Sequence, residues 1–385
     1  MADTRVRTAQ ADTDRRFMQE AIDLACRIPT RPWPNPPVGA VIVSDGEIVG
    51  RGAHLGAGQW HAERTALGQA GVRAAGATLY CTLEPCNHHG RTPPCTDAIL
   101  AADIARVVFG VFDPNPVSTG GGARLAREGV DISRGVRGRR CLELIWPFLC
   151  SDAFARPYVE LKTATSLDGR FGAAADAQGK PVYLTGPAAL DDVHQRRRWM
   201  DLVLVGRGTA RADRPRLDIR RVAGDGQGPE QPPEAGCLAG ADGGSSPLDR
   251  DRWLVFHGGA QPSGLPAGAE PVACPAAEDG GVDPAGLLAA CRERDLMAVM
   301  VEGGPRTAAS FLQAGVVDRW IQYVAPSVAG DGPEWPDRRR PGPSFTLTSC
   351  QPVGRDLRVV WDRRDFAAEL IRLAGAGEED ACSPA

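Results

Sequence analysis

The stretch ATLYCTLEPCNHHGRTPPCTDAILAA, residues 77 to 102, joins two apolar segments through a polar loop. ATLYCTL is short, continuous and apolar, which is typical of a buried strand. CTDAILAA follows Pro93 and Pro94, and because proline is favoured in the first turn of a helix, this segment is predicted to be helical. Cys86 and Cys95 lie at the two ends of the loop. The stretch therefore predicts a strand, a loop and a helix, and it makes the loop a candidate metal site.

The segments on either side continue this alternation. Upstream, apolar residues recur at helical spacing from Phe17 to Ala25, and the pattern stops at Pro29. VGAVIV, SDGE and IVGRG predict a β-hairpin with an Asp-Gly turn, and HAERTALGQAG predicts a short helix that ends at Gly71. Downstream, RVVFGVF predicts another strand. Residues 15 to about 135 are therefore expected to form a three-layer α/β domain.

A second α/β unit is predicted from about Arg156 onward. The strands YVELKTATSLDG, DLVLVG, RWLVF and LMAVMVEGG alternate with a polar helix ending in QRRRWM and with the helix TAASFLQAG. We expect domains at 1–150 and 151–385. Residues 222–250 are rich in Gly, Pro and Asp without periodicity, which predicts a mobile surface insertion. The tail after about residue 372 is expected to be frayed for the same reason.

Composition limits the kind of protein this chain can be. Its 385 residues exceed what one core usually supports, and 43% hydrophobic against 24% charged residues is a globular composition. A formal charge of -4 gives no reason to expect nucleic acid as a partner. The 11 cysteines are scattered, which favours reduced thiols. No signal peptide or apolar span of ~18 to 20 residues is visible, so a cytoplasmic protein without membrane contact is expected.

One cluster of metal-ligand residue types precedes and includes the opening stretch. His61 and Glu63 begin a predicted helix, and Cys86 and Cys95 follow on later elements. One imidazole and two thiolates fill three tetrahedral positions on Zn²⁺ and leave the fourth for water, as in catalytic zinc sites. Zinc lowers the pKa of that water towards ~7, and Glu63 beside it could move a proton to a leaving amine.

Two other interpretations of the cysteines stay open at this level. A structural zinc site would need a fourth protein ligand, for which His88, His89 and Cys81 are candidates. Alternatively, the cysteines are buried without any metal. The order H-x-E, then P-C, then a second Cys is nevertheless typical of zinc deaminases, although eight residues rather than two separate the cysteines here.

WPNPPVGAVIV, HAERTAL, LEPCNHHGRTPPC and DPNP closely resemble the deaminase domain of the bifunctional deaminase/reductase family of riboflavin biosynthesis, over residues 15 to 130. The resemblance implies a cytidine-deaminase-like fold and bound Zn²⁺. It also implies that Asn35 contacts the pyrimidine edge, that His54 lies beside the substrate, and that the stretch from Asn87 to Arg91 holds ribose and phosphate. The implied deaminase site comprises catalytic Glu63, the metal ligands His61, Cys86 and Cys95, and the substrate contacts Asn35, His54, His88, Arg91, Asp113 and Asn115. DPNP is also a good turn sequence, and that alternative stays open.

The second half has weaker motifs of its own. VGRGTARAD places Gly206 and Gly208 after a strand, but the third glycine of a dinucleotide fingerprint is missing. Glu302, Gly303 and Gly304 follow another apolar strand. Two strand ends with glycine suit a bound phosphate or nucleotide, and a pair of tight turns explains them nearly as well.

ELKTATSLDGR, YLTGPAALDDVHQRRR, VGRGTARADRPRLDIR and VEGGPRTAASFLQAGVVD resemble the reductase domain of the same family. The resemblance implies a fold similar to dihydrofolate reductase, NADPH as hydride donor, and a homo-oligomer formed through this domain. Arg197 and Arg220 are expected to pair with the substrate phosphate. The implied substrate and cofactor contacts are Lys162, Ser166, Asp168, Thr185, Arg197, Gly206, Thr209, Asp213, Arg220, Glu302, Gly303 and Gly304.

Three hypotheses for function follow. The leading one is hydrolytic deamination of 2,5-diamino-6-(5-phosphoribosylamino)pyrimidin-4-one followed by NADPH-dependent reduction of its ribosyl group. An alternative is a deaminase with a degenerate reductase domain in a specialised pathway, motivated by departures from the family pattern at Ala210, Arg214 and Ser118 and at the domain junction. A nucleic-acid-editing deaminase or a zinc-organised binding module is disfavoured by the net negative charge.

Overall fold

The structure is a computed structural model of the chain. It describes residues 2–90, 92–172, 183–240, 244–245, 247–259, 262, 264–336 and 345–364, with the side chains of 2–7 and 151–154 left out. The chain divides into two compact units, one running to Phe154 and also including 226–229, the other beginning at Ala155.

The first unit contains six helices and five strands within the described residues. Its sheet has the strand order β2-β1-β3-β4-β5, in which β1 pairs antiparallel with β2 and β3, and β3, β4 and β5 are parallel. The helices are α1 (Ala2–Cys26), α2 (Ala62–Ala70), α3 (Cys95–Ala101), α4 (Gly121–Arg127), α5 (Gly138–Leu144) and α6 (Trp146–Phe154), and a 3₁₀ helix spans Gly71–Ala74. The strands are β1 (Gly39–Ser44), β2 (Glu47–Ala53), β3 (Thr78–Leu83), β4 (Arg106–Val111) and β5 (Asp131–Arg134).

Local sequence explains the first elements. Asp45 and Gly46 both have positive φ, 51° and 78°, as a two-residue hairpin turn requires, and the predicted β1–β2 hairpin is confirmed. Phe17, Ala21 and Ala25 are buried on one face of α1. A Cβ on Gly39 would lie 1.9 Å from the Ala21 carbonyl oxygen, so α1 packs directly on the backbone of β1.

The second unit is built on a nine-stranded sheet with the order β10-β9-β8-β7-β11-β6-β12-β14-β13. All pairs from β10 to β12 are parallel, and β14 and β13 complete the sheet antiparallel. Its strands are β6 (Tyr158–Ser166), β7 (Leu202–Val205), β8 (Glu234–Leu238), β9 (Trp253–Gly258), β10 (Ala269–Cys274), β11 (Ala298–Val301), β12 (Arg319–Ala325), β13 (Phe345–Val353) and β14 (Asp356–Arg363). Its helices are α7 (Pro187–Arg197), α8 (Arg207–Asp213), α9 (Pro284–Arg292) and α10 (Pro305–Gln313).

The expected mobile insertion at 222–250 is wrong for part of its length. Glu234–Leu238 forms β8, which pairs parallel with β7 and β9 in the interior of the sheet. A parallel strand in the interior of a sheet need not show a period-two pattern, and the five residues EAGCL contain no β-branched residue and no continuous apolar run. The fully buried Arg198 holds the preceding segment, donating to the Asp225 carboxylate at 2.7 Å and to the Val222 carbonyl. The tail after 372 lies outside the described residues.

Within the described part of the chain, no helix combines the length and the apolar character needed to cross a bilayer.

Candidate active sites of the two units

Three predicted metal ligands converge in the first unit. The ligand atoms of His61, Cys86 and Cys95 all lie within 4.8 Å of one another. His61 precedes the first residue of α2 and has an extended backbone, Cys86 lies in the loop after β3, and Cys95 begins α3. Three separate elements thus present one nitrogen and two sulfur atoms to a common point.

The spacing of these atoms fits tetrahedral zinc. The His61 Nδ1 atom is 3.5 Å from the Cys86 Sγ and 3.3 Å from the Cys95 Sγ. Zinc–nitrogen and zinc–sulfur bonds of ~2.1 and ~2.3 Å at a tetrahedral angle separate nitrogen and sulfur by about 3.6 Å. Hydrogen bonding from Cys95, helped by His61 against the effect of burial, lowers the pKa of the Cys86 thiol, and the same contact raises the pKa of the Cys95 thiol. A thiolate, which is the form that binds metal, is therefore favoured at Cys86.

The three candidates for a fourth protein ligand do not join this group. Within the described residues, the cluster consists of His61, Cys86 and Cys95 alone. Cys81 is fully buried inside β3, and the exposed His89 lies 4.0 Å from the Asp97 carboxylate. His88 instead lines a cavity beside the cluster. The described residues therefore do not support a structural zinc site with four protein ligands. They support a site with three protein ligands and an open fourth coordination position.

Glu63 lies in the first turn of α2 and is only 4% exposed. Its side chain lines the same cavity as His61 and Cys86. Burial raises the pKa of the Glu63 carboxyl group, against the opposing effect of His61. A carboxyl group shielded from water beside a metal cluster can take up and release a proton near the reacting atoms.

The cavity next to the cluster has a volume of about 360 Å³ and collects most of the predicted deaminase contacts. Asn35, His54, His88, Asp113 and Asn115 all line it. This volume lies in the range of small-molecule sites. Residues from four separate parts of the sequence thus share one concave surface.

Asn35 and His54 form a directed pair. His54 Nδ1 is 3.2 Å from the Trp60 carbonyl oxygen, which can only accept, so this nitrogen carries the proton. Burial lowers the pKa of His54, which keeps the ring neutral and leaves Nε2 as an acceptor for the Asn35 amide at 3.0 Å. The Asn35 NH₂ group therefore points to His54, and its carbonyl oxygen is an acceptor.

The DPNP segment is both a turn and a cavity wall. The Asp113 carboxylate accepts from the Asn115 amide, and the Asn115 side chain accepts from the Val117 amide, each at 2.9 Å. Glu84 was not predicted as a site residue, yet its buried carboxylate accepts from Asp113 N, Thr119 Oγ1 and Gly122 N. The sequence feature that could have identified Glu84 is its position beside Pro85 in the LEPC motif. Glu84 fixes the loop that carries Asp113 and Asn115.

Among the remaining predicted loop contacts, Asn87 holds the loop together. Asn87 Oδ1 accepts from Thr96 Oγ1 at 3.1 Å and from Arg124 at 3.0 Å. Its side-chain oxygen thus binds residues of the chain itself, and the predicted ribose contact of this stretch stays a prediction. Arg91 lies outside the described residues.

In the second unit, charged side chains gather at the carboxyl edge of the parallel sheet. The register pairs Val301 of β11 with Leu161 of β6, which places Glu302 beside Lys162. Arg197 donates to both Glu302 oxygens, at 2.6 and 2.9 Å, and to the Asp218 carbonyl at 3.0 Å. Burial lowers the pKa of the Lys162 ammonium, and Glu302 opposes that effect. Arg197 is therefore the ion-pair partner of Glu302, and this geometry does not support its expected pairing with a phosphate.

The glycine-bearing strand ends lie next to each other, as the parallel order β7-β11 requires. A Cβ on Gly206 would lie 2.2 Å from Thr307 Oγ1, and one on Gly303 would lie 2.4 Å from Thr307 Cβ. Thr209 Oγ1 is 3.9 Å from the corresponding point on Gly304. Thr307 was not predicted; it explains why both strand ends are glycine. Ligands of open α/β sheets bind at such edges, where backbone can approach closely.

Other predicted reductase contacts serve the loops in which they lie. Ser166 and Asp168 are hydrogen-bonded at 2.5 Å, and Asp168 accepts from Ala329 N and Gly330 N. Arg220 is exposed and donates to Asp218 at 2.5 Å. Two further predicted contacts complete this set: Thr185, which is buried, and Asp213, whose charge interacts with Lys162.

Comparison with known proteins agrees with this division. Residues 11–111 match the model of the cytidine and deoxycytidylate deaminase zinc-binding region, and residues 157–359 match that of the RibD C-terminal domain. The riboflavin biosynthesis protein RibD of Aquifex aeolicus is 38% identical over 336 residues, which cover 83% of this chain and 89% of that protein. RibD of Escherichia coli is 38% identical over 330 residues, covering 82% and 89%.

Solved structures give the same result. A Thermotoga maritima diaminohydroxyphosphoribosylaminopyrimidine deaminase/5-amino-6-(5-phosphoribosylamino)uracil reductase superposes with a TM-score of 0.77 at 31% identity, covering 92% of this chain and 99% of that one. Acinetobacter baumannii RibD superposes with a TM-score of 0.70 at 32% identity and the same coverage. Because both domains match, a degenerate reductase half is not favoured. The chain belongs to the RibD family of riboflavin-biosynthesis enzymes, with a zinc-binding deaminase domain followed by an NADPH-dependent reductase domain.

Proposed function

We propose that the first unit hydrolyses the 2-amino group of 2,5-diamino-6-(5-phosphoribosylamino)pyrimidin-4-one, and that the second unit then reduces the ribosyl group of the product to ribityl with NADPH. The observation that carries the first step is the triangle of His61, Cys86 and Cys95 with Glu63 in one cavity. Water is consumed and ammonia is released in the first step, and hydride plus a proton are consumed in the second.

In the deaminase unit, His61, Cys86 and Cys95 would hold zinc. Zinc with an open coordination position is a Lewis acid that lowers the pKa of water. Glu63 would move the proton of that water to the departing amine, because its carboxyl group is buried in the same cavity. The Asn35 carbonyl oxygen, oriented by His54, would accept a hydrogen bond from an N–H on the pyrimidine edge.

In the reductase unit, Gly206, Thr209, Gly303 and Gly304 would hold NADPH, because they lie just after the carboxyl ends of the neighbouring parallel strands β7 and β11, where ligands of open α/β sheets bind. Lys162 would bind the ribosyl hydroxyl groups, oriented by the adjacent Glu302. NADPH supplies the hydride. The Glu302–Arg197 pair would keep the edge of the sheet rigid while the ribosyl group is bound.

A homo-oligomer through the reductase unit and a cytoplasmic location complete the proposal. The outermost hairpin of the large sheet exposes Leu347 and Leu357, and an exposed apolar edge favours pairing with another chain. The ten described cysteines are all free thiols, which suits a reducing compartment. Light scattering on purified protein measures the subunit number, and a monomer at micromolar concentration would contradict the first part.

The decisive experiment is a coupled assay of the purified chain on the diaminopyrimidinone substrate, with zinc content determined on the same sample. We expect ammonia release first, then NADPH oxidation that depends on it. Ammonia without NADPH oxidation, when authentic deaminated product is also supplied, would refute the reductase assignment. Absence of ammonia from protein with a full complement of zinc would refute the deaminase assignment.

A further inference from the structure

Two thiolates on one metal ion must be held at a fixed separation, and here they lie on different elements. Cys86 follows β3, Cys95 begins α3, and eight residues separate them. The described part of that loop, 87–90 and 92–94, forms neither helix nor strand. The separation of the two sulfur atoms must therefore depend on contacts that cross from one segment to the other.

The residues next to the two cysteines make such contacts. The Cys95 amide donates to Cys86 Sγ at 3.4 Å, and the Thr96 amide donates to the Cys86 carbonyl at 3.3 Å. The Thr96 hydroxyl donates to Asn87 Oδ1 at 3.1 Å. Asn87 follows Cys86 and Thr96 follows Cys95, so equivalent positions are joined.

Arg124 of α4 binds both of these side chains at once. One nitrogen, Nη1, donates to Asn87 Oδ1 at 3.0 Å and to Thr96 Oγ1 at 2.9 Å. The other, Nη2, lies 2.7 Å from the Asp97 carboxylate. Every donor and acceptor is used consistently, since the Thr96 hydroxyl accepts from arginine and donates to the amide oxygen.

The helix that carries Arg124 is itself seated on the segment before Cys86. A Cβ on Gly121 would lie 1.8 Å from the Pro85 carbonyl oxygen, so helix and loop backbone are in direct contact. The Gly122 amide donates to Glu84 Oε1 at 3.0 Å. Arg124 therefore extends from a support that is fixed relative to β3 and the first thiolate.

We propose that Arg124 is a positioning residue of the metal site, which sets the separation of Cys86 and Cys95 by binding the residue that follows each of them. The inference rests on the proposed zinc site. A planar guanidinium reaches all three acceptors in fixed directions, whereas the compact ammonium of lysine does not. Charge alone is thus insufficient for the role.

The test is zinc affinity, measured on the full chain by competition with a chromogenic chelator. Arg124→Ala and Arg124→Lys are expected to raise the zinc dissociation constant by ~10- to 100-fold, as loss of outer contacts to metal ligands does. Arg127→Ala is the matched control, because Arg127 is exposed on the same helix. Its zinc affinity should equal that of the unaltered protein.

Ammonia release in excess zinc separates positioning from catalysis. We expect Arg124→Ala to recover its rate when zinc is raised above the new dissociation constant. Unchanged zinc affinity, or a lost rate at full zinc occupancy, would overturn the inference. If Arg124→Ala does not fold, Asn87→Ala removes the shared acceptor and gives the same test. Failure of the zinc site itself is recognised separately, because His61→Ala would then retain zinc as tightly as the unaltered chain.

Discussion

At the residue scale, the structure gives His61 and Glu63, which lie two positions apart, different surroundings. His61 precedes the first residue of α2, so its backbone is extended and its ring turns towards the cysteines. Glu63 is inside the first turn, and its side chain is buried in the cavity and outside the metal group. Because the helix starts between the two residues, the His61 ring joins the two cysteines while the Glu63 carboxyl group stays outside that group.

Glu63→Gln tests this separation. Glutamine keeps the size of the side chain but cannot carry a proton between water and amine, so ammonia release should fall by ~10²- to 10⁴-fold. Zinc content should stay at that of the unaltered protein, because Glu63 is not in the ligand group. Glu47→Gln, an exposed position on β2, is the control. Full deaminase turnover in Glu63→Gln with zinc bound would show that another group transfers the proton.

Glu302 gives a residue-scale prediction in the reductase unit. Burial would raise the pKa of its carboxyl group, but Arg197 and Lys162 outweigh burial and the pKa is lowered. Removing one partner of a buried ion pair costs about 3–5 kcal/mol, so Glu302→Gln should lower the free energy of unfolding by that order. Denaturant titration followed by fluorescence measures the change, with the exposed Glu293→Gln as control.

The pH dependence of this difference has a definite sign. A carboxyl group whose pKa is lower in the folded than in the unfolded chain stabilises the fold above its ordinary pKa, which is 4.5 for glutamate. That contribution disappears as the pH falls through the lowered value. The stability difference between the unaltered protein and Glu302→Gln should therefore shrink below about pH 4.5. A difference that grows on acidification would contradict the ion pair.

At the element scale, close packing of α2 against the β1–β2 hairpin positions the helix that carries Glu63. A Cβ on Gly52 would lie 2.0 Å from the Ala62 carbonyl oxygen, and one on Gly50 would lie 2.2 Å from that of Ala66. The first turn of α2 thus rests on the bare backbone of β2. The distance from β2 fixes where His61 and Glu63 stand.

Gly52→Ala is expected to displace that helix. The added methyl group has a rigid backbone carbonyl in its way, so the free energy of unfolding should fall by about 1–3 kcal/mol, with weaker zinc binding. Gly68→Ala is the control, since Gly68 lies in α2 with open space around it. That change should raise stability by about 0.5–1 kcal/mol, because alanine favours helix. Thermal unfolding compares the two variants, and equal effects would refute the packing argument.

At the scale of the whole molecule, each unit has its own core and its own chemistry. Phe17, Leu79 and Phe109 are buried in the first unit, and Phe256 and Phe311 in the second. The metal ligands belong to the first unit and the Lys162–Glu302 group to the second. The deaminase activity is therefore expected to depend on bound zinc, and the reductase activity is expected not to.

Zinc removal tests this independence. A ligand at ~1,000 times its dissociation constant stabilises the state that binds it by about 4 kcal/mol. Chelation should lower the unfolding temperature of one calorimetric transition and abolish ammonia release. NADPH oxidation on authentic deaminated substrate should keep its rate. Equal loss of both activities, in protein that stays folded, would mean that the reductase also needs the metal.

The sequence determined the elements whose causes are local. The Asp45-Gly46 turn, the helical spacing in α1 and the prolines before α3 each act over a few residues, and the structure contains all three elements. Likewise, residue types alone were enough to propose His61, Cys86 and Cys95 as ligands, because few side chains bind zinc. The reductase function of the second unit was predicted from motifs of this sequence that resemble the family.

Tertiary structure decided what depends on partners distant in the chain. β8 is a strand because β7 and β9 bind both of its edges, which its own five residues do not reveal. Arg197 pairs with Glu302 across 105 positions, and Arg124 contacts Asn87 and Thr96 because α4 packs on Pro85. Hydrogen bonds and ion pairs need short distances between atoms, and residues far apart in the sequence reach such distances only in the folded chain.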